Sequence, residues 1–318
     1  MPISEKALIS LIRRTAKRRP GVPVGIGDDC AVLRIPPRHE VLVTTDFSLE
    51  GIHFRRDWHA AEVVGHRCLT RGLSDIAAMG GEPVAAFLSL ALPRKLPQAW
   101  VRRFMKGVLA LADQFKVTLA GGDTAESPGG IQADIVVVGS VPAGKALLRS
   151  GAHPGDRIYV TGELGGSSAA LAELLAGRRV RLADFPRHFR PIPRVAVGRE
   201  LREKGIASAL IDLSDGLSTD LAHISEESLT GAEILAPAIP RARVGKRRAP
   251  VDLPHALHGG EDYELLFTAP RNRRVPNRIA GVAVTLIGRV TRDKQVVLIG
   301  EDGVRRELKP QGWEHFRK

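Results

Sequence analysis

Two aspartates stand side by side in GIGDDCAV (residues 25–32). No lysine or arginine lies within six residues before them, and none follows until Arg34. Acids recur in similar settings along the chain: Asp46 in TTD, Asp75 in LSDIAAMG, Asp123 in AGGDT, Asp212 and Asp215 in IDLSDG, and Glu261–Asp262 in GGEDYELLF. Carboxylates brought close together repel and raise each other's pKa unless a cation neutralises them. Aspartate oxygens beside Thr and Ser hydroxyls suit a hard ion such as Mg²⁺, and Mg²⁺ commonly brings phosphates with it. The chemistry suggested is metal-assisted handling of a polyphosphate. Any one of these acids has a plainer use as a turn former or helix cap, and Asp215 could cap a helix beginning at 218. Spacing alone leaves both readings open. Recurrence of the same arrangement along most of the chain favours a multi-metal site.

The elements that must hold these acids can be read from periodicity. Short apolar runs at 41–45, 87–92, 117–120 and 134–141 read as strands, and 61–79 and 97–115 as helices. After the turn-rich stretch PAGKALLRSGAHPGD, strands are expected at RIYVTG, ASALIDL, YELLFTA, AVTLIGRV and QVVLI, with helices at 166–177, 194–204 and 218–229. An amphipathic helix carrying Leu8, Ile9, Leu11 and Ile12 precedes Pro20. The fold class is α/β, in two domains: 1–142 with a mixed sheet, and 143–318 of α/β type. Asp46, Asp123, Asp212 and Asp215 follow strands and Glu261 precedes one. Strand ends are where loops from distant segments converge on ligands.

Composition narrows the partners. The chain has 318 residues, 47 Lys+Arg against 35 Asp+Glu, a formal net charge of +12 and only 4% aromatic residues. The basic residues fall in separate clusters at 13–19, 241–248 and 271–278, with no aromatic platform for stacking bases. We therefore expect no nucleic-acid partner. No run of about 18 apolar residues is present, so no membrane association is expected. Cys30 and Cys68 lack zinc spacing and are expected to be buried, reduced thiols of a cytoplasmic protein. GSVPAGKA (139–146) fits a P-loop except for Ala146 where Ser or Thr should bind Mg²⁺, and it reads as a chance match. TGELGGSS (161–168) lacks the G-x-G-x-x-G spacing and reads as a structural turn. No nucleophile elbow or zinc-protease motif occurs.

In order along the chain, GIGDDCAV, TTD, GIHF, LSDIAAMG, GGDT, LLRSGAHPGD, IDLSDGL, GGEDYELLFT and GWEHF resemble the thiamine-monophosphate kinase family over residues 25–316. The wider superfamily includes aminoimidazole ribonucleotide synthetase and selenophosphate synthetase. The resemblance implies an N-terminal domain that dimerises through its sheet and helps bind ATP and Mg²⁺, followed by a C-terminal α/β domain. It implies transfer of the ATP γ-phosphoryl group to thiamine monophosphate, giving thiamine diphosphate, with several Mg²⁺ ions. Another ATP-dependent small-molecule enzyme of the superfamily is the alternative. By motif, Asp29, Thr44, Thr45, Asp46, Asp75, Asp123, Asp212 and Asp215 would hold Mg²⁺. Gly122, Asp123, Arg149 and Ser214 would meet ATP, and His53, Glu261 and Trp313 would meet thiamine monophosphate. Asp28 is the less securely matched of its pair. WVRRFMKG has no tyrosine where the family often contacts the nucleotide, so the adenine contact is unassigned. The acceptor, a phosphate monoester with a second pKa near about 6, is already nucleophilic at neutral pH. No general base and no covalent nucleophile is therefore expected, and transfer should be direct and in line.

Overall fold

HEVLVTTDFSL forms an edge strand, β1 (His39–Leu49), whose side chains from Val41 to Ser48 turn alternately outward and inward, so that it has two different faces. The structure is a computed structural model that describes residues 5–27 and 29–312. By contacts the chain forms two units. One comprises Met1–Ile76 and Gly81–Gly144, the other Ala77–Gly80 and Lys145–Lys318.

In the first unit α1 (Glu5–Thr15) precedes β1. Then follow α2 (Ala61–Ala78), β2 (Glu82–Pro93), α3 (Gln98–Gln114), β3 (Thr118–Ser127) and β4 (Gln132–Pro142). The sheet order is β1-β4-β2-β3, with only β2 and β3 parallel. Leu69 and Leu73 of α2, Phe104 and Val108 of α3, and Leu88, Ile135 and Val137 of the sheet form its core. The two helices approach backbone to backbone. A Cβ on Gly65 would strike the Phe104 carbonyl, and one on Gly107 the Glu62 carbonyl. This close packing fixes α2 over the sheet, with Gly72 pressed against the Val137 side chain.

The second unit contains β5 (Arg157–Thr161), α4 (Gly166–Leu175), α5 (Pro186–Phe189), α6 (Val195–Glu203), β6 (Ala209–Asp212), α7 (Leu217–Glu227) and β7 (Gly231–Leu235). A hairpin of β8 (Arg243–Val244) and β9 (Ala249–Pro250) leads to α8 (Leu253–His258). Then come β10 (Leu265–Ala269), β11 (Arg278–Ile279), β12 (Val282–Thr291), β13 (Val296–Ile299) and β14 (Arg305–Glu307). The main sheet runs β14-β13-β7-β12-β5-β10-β6, and β11 pairs with β12. Ile158, Val160, Ile211 and Leu266 face one core, while Tyr159, Leu210, Leu265 and Phe267 face another. Burial on both faces explains why β5, β6 and β10 read as unbroken apolar runs. Glu264 is completely buried beside β10. Its carboxylate accepts a hydrogen bond from Thr161 Oγ1 (2.6 Å) and a bidentate pair from Arg194 (2.7 and 2.5 Å), and it pairs with Arg187.

Among the described residues no helix is long and apolar enough to cross a membrane. One expectation about the thiols is corrected: Cys68 is buried, but Cys30 is exposed. Cys30 lies in the bend at 29–30, outside any strand whose alternation could turn it inward.

Candidate active site

In the first unit α2 crosses the inner face of β1 at the TTD motif. Thr44 donates a hydrogen bond to Asp75 of α2, and Asp46, on the same face of β1, hydrogen-bonds Asp75. Burial, then the neighbouring Asp75, pushes the Asp46 carboxyl up to about 7 against the opposing pull of Arg71. Two carboxyl groups so placed share a proton when no cation is present. Thr45 projects to the other face and donates to Asp134 Oδ1 on β4 (2.7 Å). Asp134 also raises Asp46, and it lay outside the sequence-derived set because it begins an apolar strand rather than following one.

The remaining residues of this unit are spread more widely. Asp46 pairs in register with Ile135, Ile135 with Leu88, and Leu88 with Gly122. Gly122 and Asp123 therefore occupy the opposite edge strand, about 14 Å away at three strand spacings. Gly122 has φ +147°, and a Cβ there would collide with the Leu88 carbonyl. Asp123 is exposed, and its Oδ1 accepts the Thr124 N–H (2.8 Å). Asp29 is exposed in the bend at 29–30, and Asp28 lies outside the described residues. His53 closes the turn after β1. Its Nδ1 accepts the Leu49 N–H (3.0 Å), which leaves the ring proton on Nε2. This unit thus gathers Thr44, Asp46 and Asp75 tightly and keeps Gly122 and Asp123 apart from them.

In the second unit the acids converge on one turn. Asp212 ends β6, buried, and Ser214 and Asp215 follow it before α7. The GGEDYE segment runs alongside: Glu261 N–H donates to Ser214 O (2.8 Å) and Tyr263 N–H to Leu213 O (2.9 Å). Glu261 and Tyr263 both have positive φ (+64° and +51°), conformations that non-glycine residues hold only where the surroundings impose them. The structure thereby brings Asp212, Ser214, Asp215 and Glu261 together. Asp215 does not cap α7; Gly216 occupies that position, and the buried Asp220 reaches back from the first turn. Single oxygens of Asp215 and Asp220 and a ring nitrogen of His223 lie within 4.8 Å of one another. Sequence reading missed Asp220 and His223; their i, i+3 spacing on the helix that follows the acid turn was the available signal. Gly312 N–H donates to Thr219 Oγ1 (3.0 Å), so the chain approaches this turn just before Trp313, which lies outside the described residues. Arg149 is exposed in a loop held by Ser228. The Ser228 hydroxyl donates to the Arg149 carbonyl (3.0 Å) and accepts the Gly151 and Ala152 N–H groups.

The two glycine-rich near-motifs have structural explanations. No helix follows GSVPAGKA, where β4 ends at Pro142. TGELGGSS does open α4, but an internal anion already occupies that terminus. The buried Asp262 carboxylate accepts the N–H groups of Gly165 (2.6 Å) and Ser167 (3.4 Å), and burial raises its pKa to about 7.

Residues 27–141 match the model of the AIR synthase related protein N-terminal domain. Thiamine-monophosphate kinase of Escherichia coli strain K12 is 40% identical over 316 residues, covering 95% of each chain. The chain belongs to the thiamine-monophosphate kinase family. The crystal structure of thiamine-monophosphate kinase from Stenotrophomonas maltophilia superposes with a TM-score of 0.81 at 36% identity, covering 95% of this chain and 98% of that one. A further structure, AaThiL complexed with AMPPCP and TMP, gives 0.78 at 34% identity over 99% of both chains. The two-unit α/β architecture is that of thiamine-monophosphate kinases.

The residues fit the hard cation expected of such a kinase. Asp46, paired with Asp75, stays above the ordinary carboxylate range despite the nearby Arg71. Asp220, beside Asp212 and Asp215, is pushed well above that range, first by burial and then by its two acidic neighbours. Oxygen donors with negative charge in excess of local cations are what Mg²⁺ relieves.

Proposed function

We propose that the chain transfers the γ-phosphoryl group of ATP to thiamine monophosphate, forming thiamine diphosphate and ADP. The reading is carried by the acid clusters at Asp46–Asp75 and at Asp212, Asp215 and Asp220, set in a chain that matches thiamine-monophosphate kinases almost end to end. Asp29, Thr44, Thr45, Asp46, Asp75, Asp123, Asp212 and Asp215 would hold Mg²⁺. Bound there, Mg²⁺ would neutralise phosphate oxygens and orient donor and acceptor. Gly122, Asp123, Arg149 and Ser214 receive the nucleotide. Gly122, lacking a Cβ, lets the backbone come close, and the Arg149 guanidinium suits a phosphate oxygen. His53, whose Nδ1 accepts the Leu49 N–H, would donate a hydrogen bond to the acceptor phosphate. Glu261 would face the cationic thiazolium, and the indole of Trp313 would suit the thiamine rings. The acceptor oxygen attacks the γ-phosphorus as the bond to the β–γ bridging oxygen breaks, with no side chain taking a proton.

We also infer a homodimer formed through the first unit. The outer face of β1 presents Val41, Val43 and Phe47, each more than half exposed, an apolar row suited to a second copy. The free thiols at Cys30 and Cys68 support a reducing compartment, the cytoplasm.

The decisive experiment mixes the protein with Mg²⁺, γ-labelled ATP and thiamine monophosphate. Labelled thiamine diphosphate, with no label left on denatured protein, is the expected result. Labelled inorganic phosphate without thiamine diphosphate, or covalently labelled protein, would refute it.

A further inference from the structure

Asp220 stands one turn into α7 and is 1% exposed. One of its oxygens, Oδ2, accepts the backbone N–H of Asp215 (3.2 Å) and that of Gly216 (3.0 Å). These are amides of the turn that carries Asp215. Gly216, at the N-cap of α7 with φ +113°, has no side chain to cap the helix itself. On its other side the same turn is held by the Glu261 and Tyr263 N–H groups, which bind the Ser214 and Leu213 carbonyls. The acid turn is therefore clamped from two directions, and Asp220 is the clamp from within α7. A carboxylate is a costly choice for this position, because it lies buried beside two other acids.

We propose that Asp220 is a positioning residue for magnesium-nucleotide binding. By holding the Asp215 and Gly216 amides, it fixes the backbone from which Asp212 and Asp215 present their oxygens. The inference rests on the reading of those two acids as metal ligands. It assigns Asp220 a hydrogen-bonding role, one that its amide analogue can perform.

The test uses the full chain with Mn²⁺ as the probe, alone and with a non-hydrolysable ATP analogue. Free Mn²⁺ is followed by electron paramagnetic resonance, and amide exchange at Asp215 and Gly216 by NMR. Asp220→Ala should weaken Mn²⁺–nucleotide binding about tenfold or more, the usual consequence of losing an outer partner of a metal ligand. It should raise the KM for Mg-ATP more than that for thiamine monophosphate, and it should speed exchange at both amides. Asp220→Asn, whose amide oxygen can accept both N–H groups, should recover most of the affinity and the slow exchange. Equal loss in the two variants would overturn the proposal, because the charge or direct ligation would then be what matters. Unchanged Mn²⁺ affinity or unchanged amide exchange in Asp220→Ala would overturn it equally. Should that variant fail to fold, Asp220→Ser replaces it, since the shorter side chain falls short of both amides. If the wild-type chain bound no Mn²⁺–nucleotide, the functional reading would fail, and amide exchange would still decide whether Asp220 holds the turn.

Discussion

The Asp46–Asp75 pair makes metal-free stability depend on pH in an unusual direction. Asp46 moves from 3.8, its ordinary value, to about 7 in the fold. Between those values the folded protein binds the proton that the unfolded chain releases, so stability falls as pH rises. A shift of about 3 units at 1.36 kcal/mol each gives about 4 kcal/mol. Water reaching this partly exposed pair reduces that to about 2–4 kcal/mol. Asp46→Asn removes the titrating group while keeping its shape. In EDTA, from about pH 4 to 7, the wild type should therefore lose about 2–4 kcal/mol more than the variant. Asp262 and Asp220 titrate in the same direction but are present in both proteins, so the difference isolates Asp46. Urea unfolding followed by tryptophan fluorescence is suited to the measurement, since two of the three tryptophans, Trp58 and Trp100, lie in the first unit. Added Mg²⁺ should restore the wild type at neutral pH and leave the variant nearly unmoved. Parallel pH curves for the two proteins would refute the reasoning.

Two further outcomes are expected. Glu264→Gln leaves the partly buried Arg187 and Arg194 facing a neutral group at a fully buried position. It should destabilise the second unit by about 3–5 kcal/mol, seen as a lower calorimetric midpoint for that unit. An unchanged midpoint would show that the cluster contributes little. Val43→Asp places a charge on the exposed apolar row of β1, so, on the proposed dimer, sedimentation should show the wild type as dimer and the variant as monomer; a dimeric variant would mean that the interface lies elsewhere, and a monomeric wild type would refute the dimer.

Most strands and helices were legible because their periodicity is strong. The long elements 61–78, 98–114 and 282–291 match their apolar patterns closely. The strands β7, β8, β9, β11 and β14 were missed: the last four are two or three residues long, too short to carry a period, and GAEIL at β7 reads equally as the end of a helix. At the site, acids expected to follow strands stood out; Asp46 and Asp123 in fact lie within β1 and β3, which run on past their apolar stretches, whereas Asp212, Ser214 and Asp215 do follow one another at the end of β6, with Glu261 hydrogen-bonded alongside. Asp134 did not stand out because it starts a strand, nor Asp220 because it sits inside a helix. Which strand neighbours which was not written in local pattern. The order β1-β4-β2-β3, which sets Asp123 three strands from Asp46, follows from pairings between segments far apart in the chain.

The proposed transfer requires carboxylates that gather divalent cations around two anionic reactants. The most direct measurement is an anomalous-difference map from crystals grown with Mn²⁺, a non-hydrolysable ATP analogue and thiamine monophosphate. We predict peaks beside Asp46 and Asp75 and beside Asp212 and Asp215, each in contact with a phosphate oxygen. A map with nucleotide bound and no metal at either acid cluster would contradict the account.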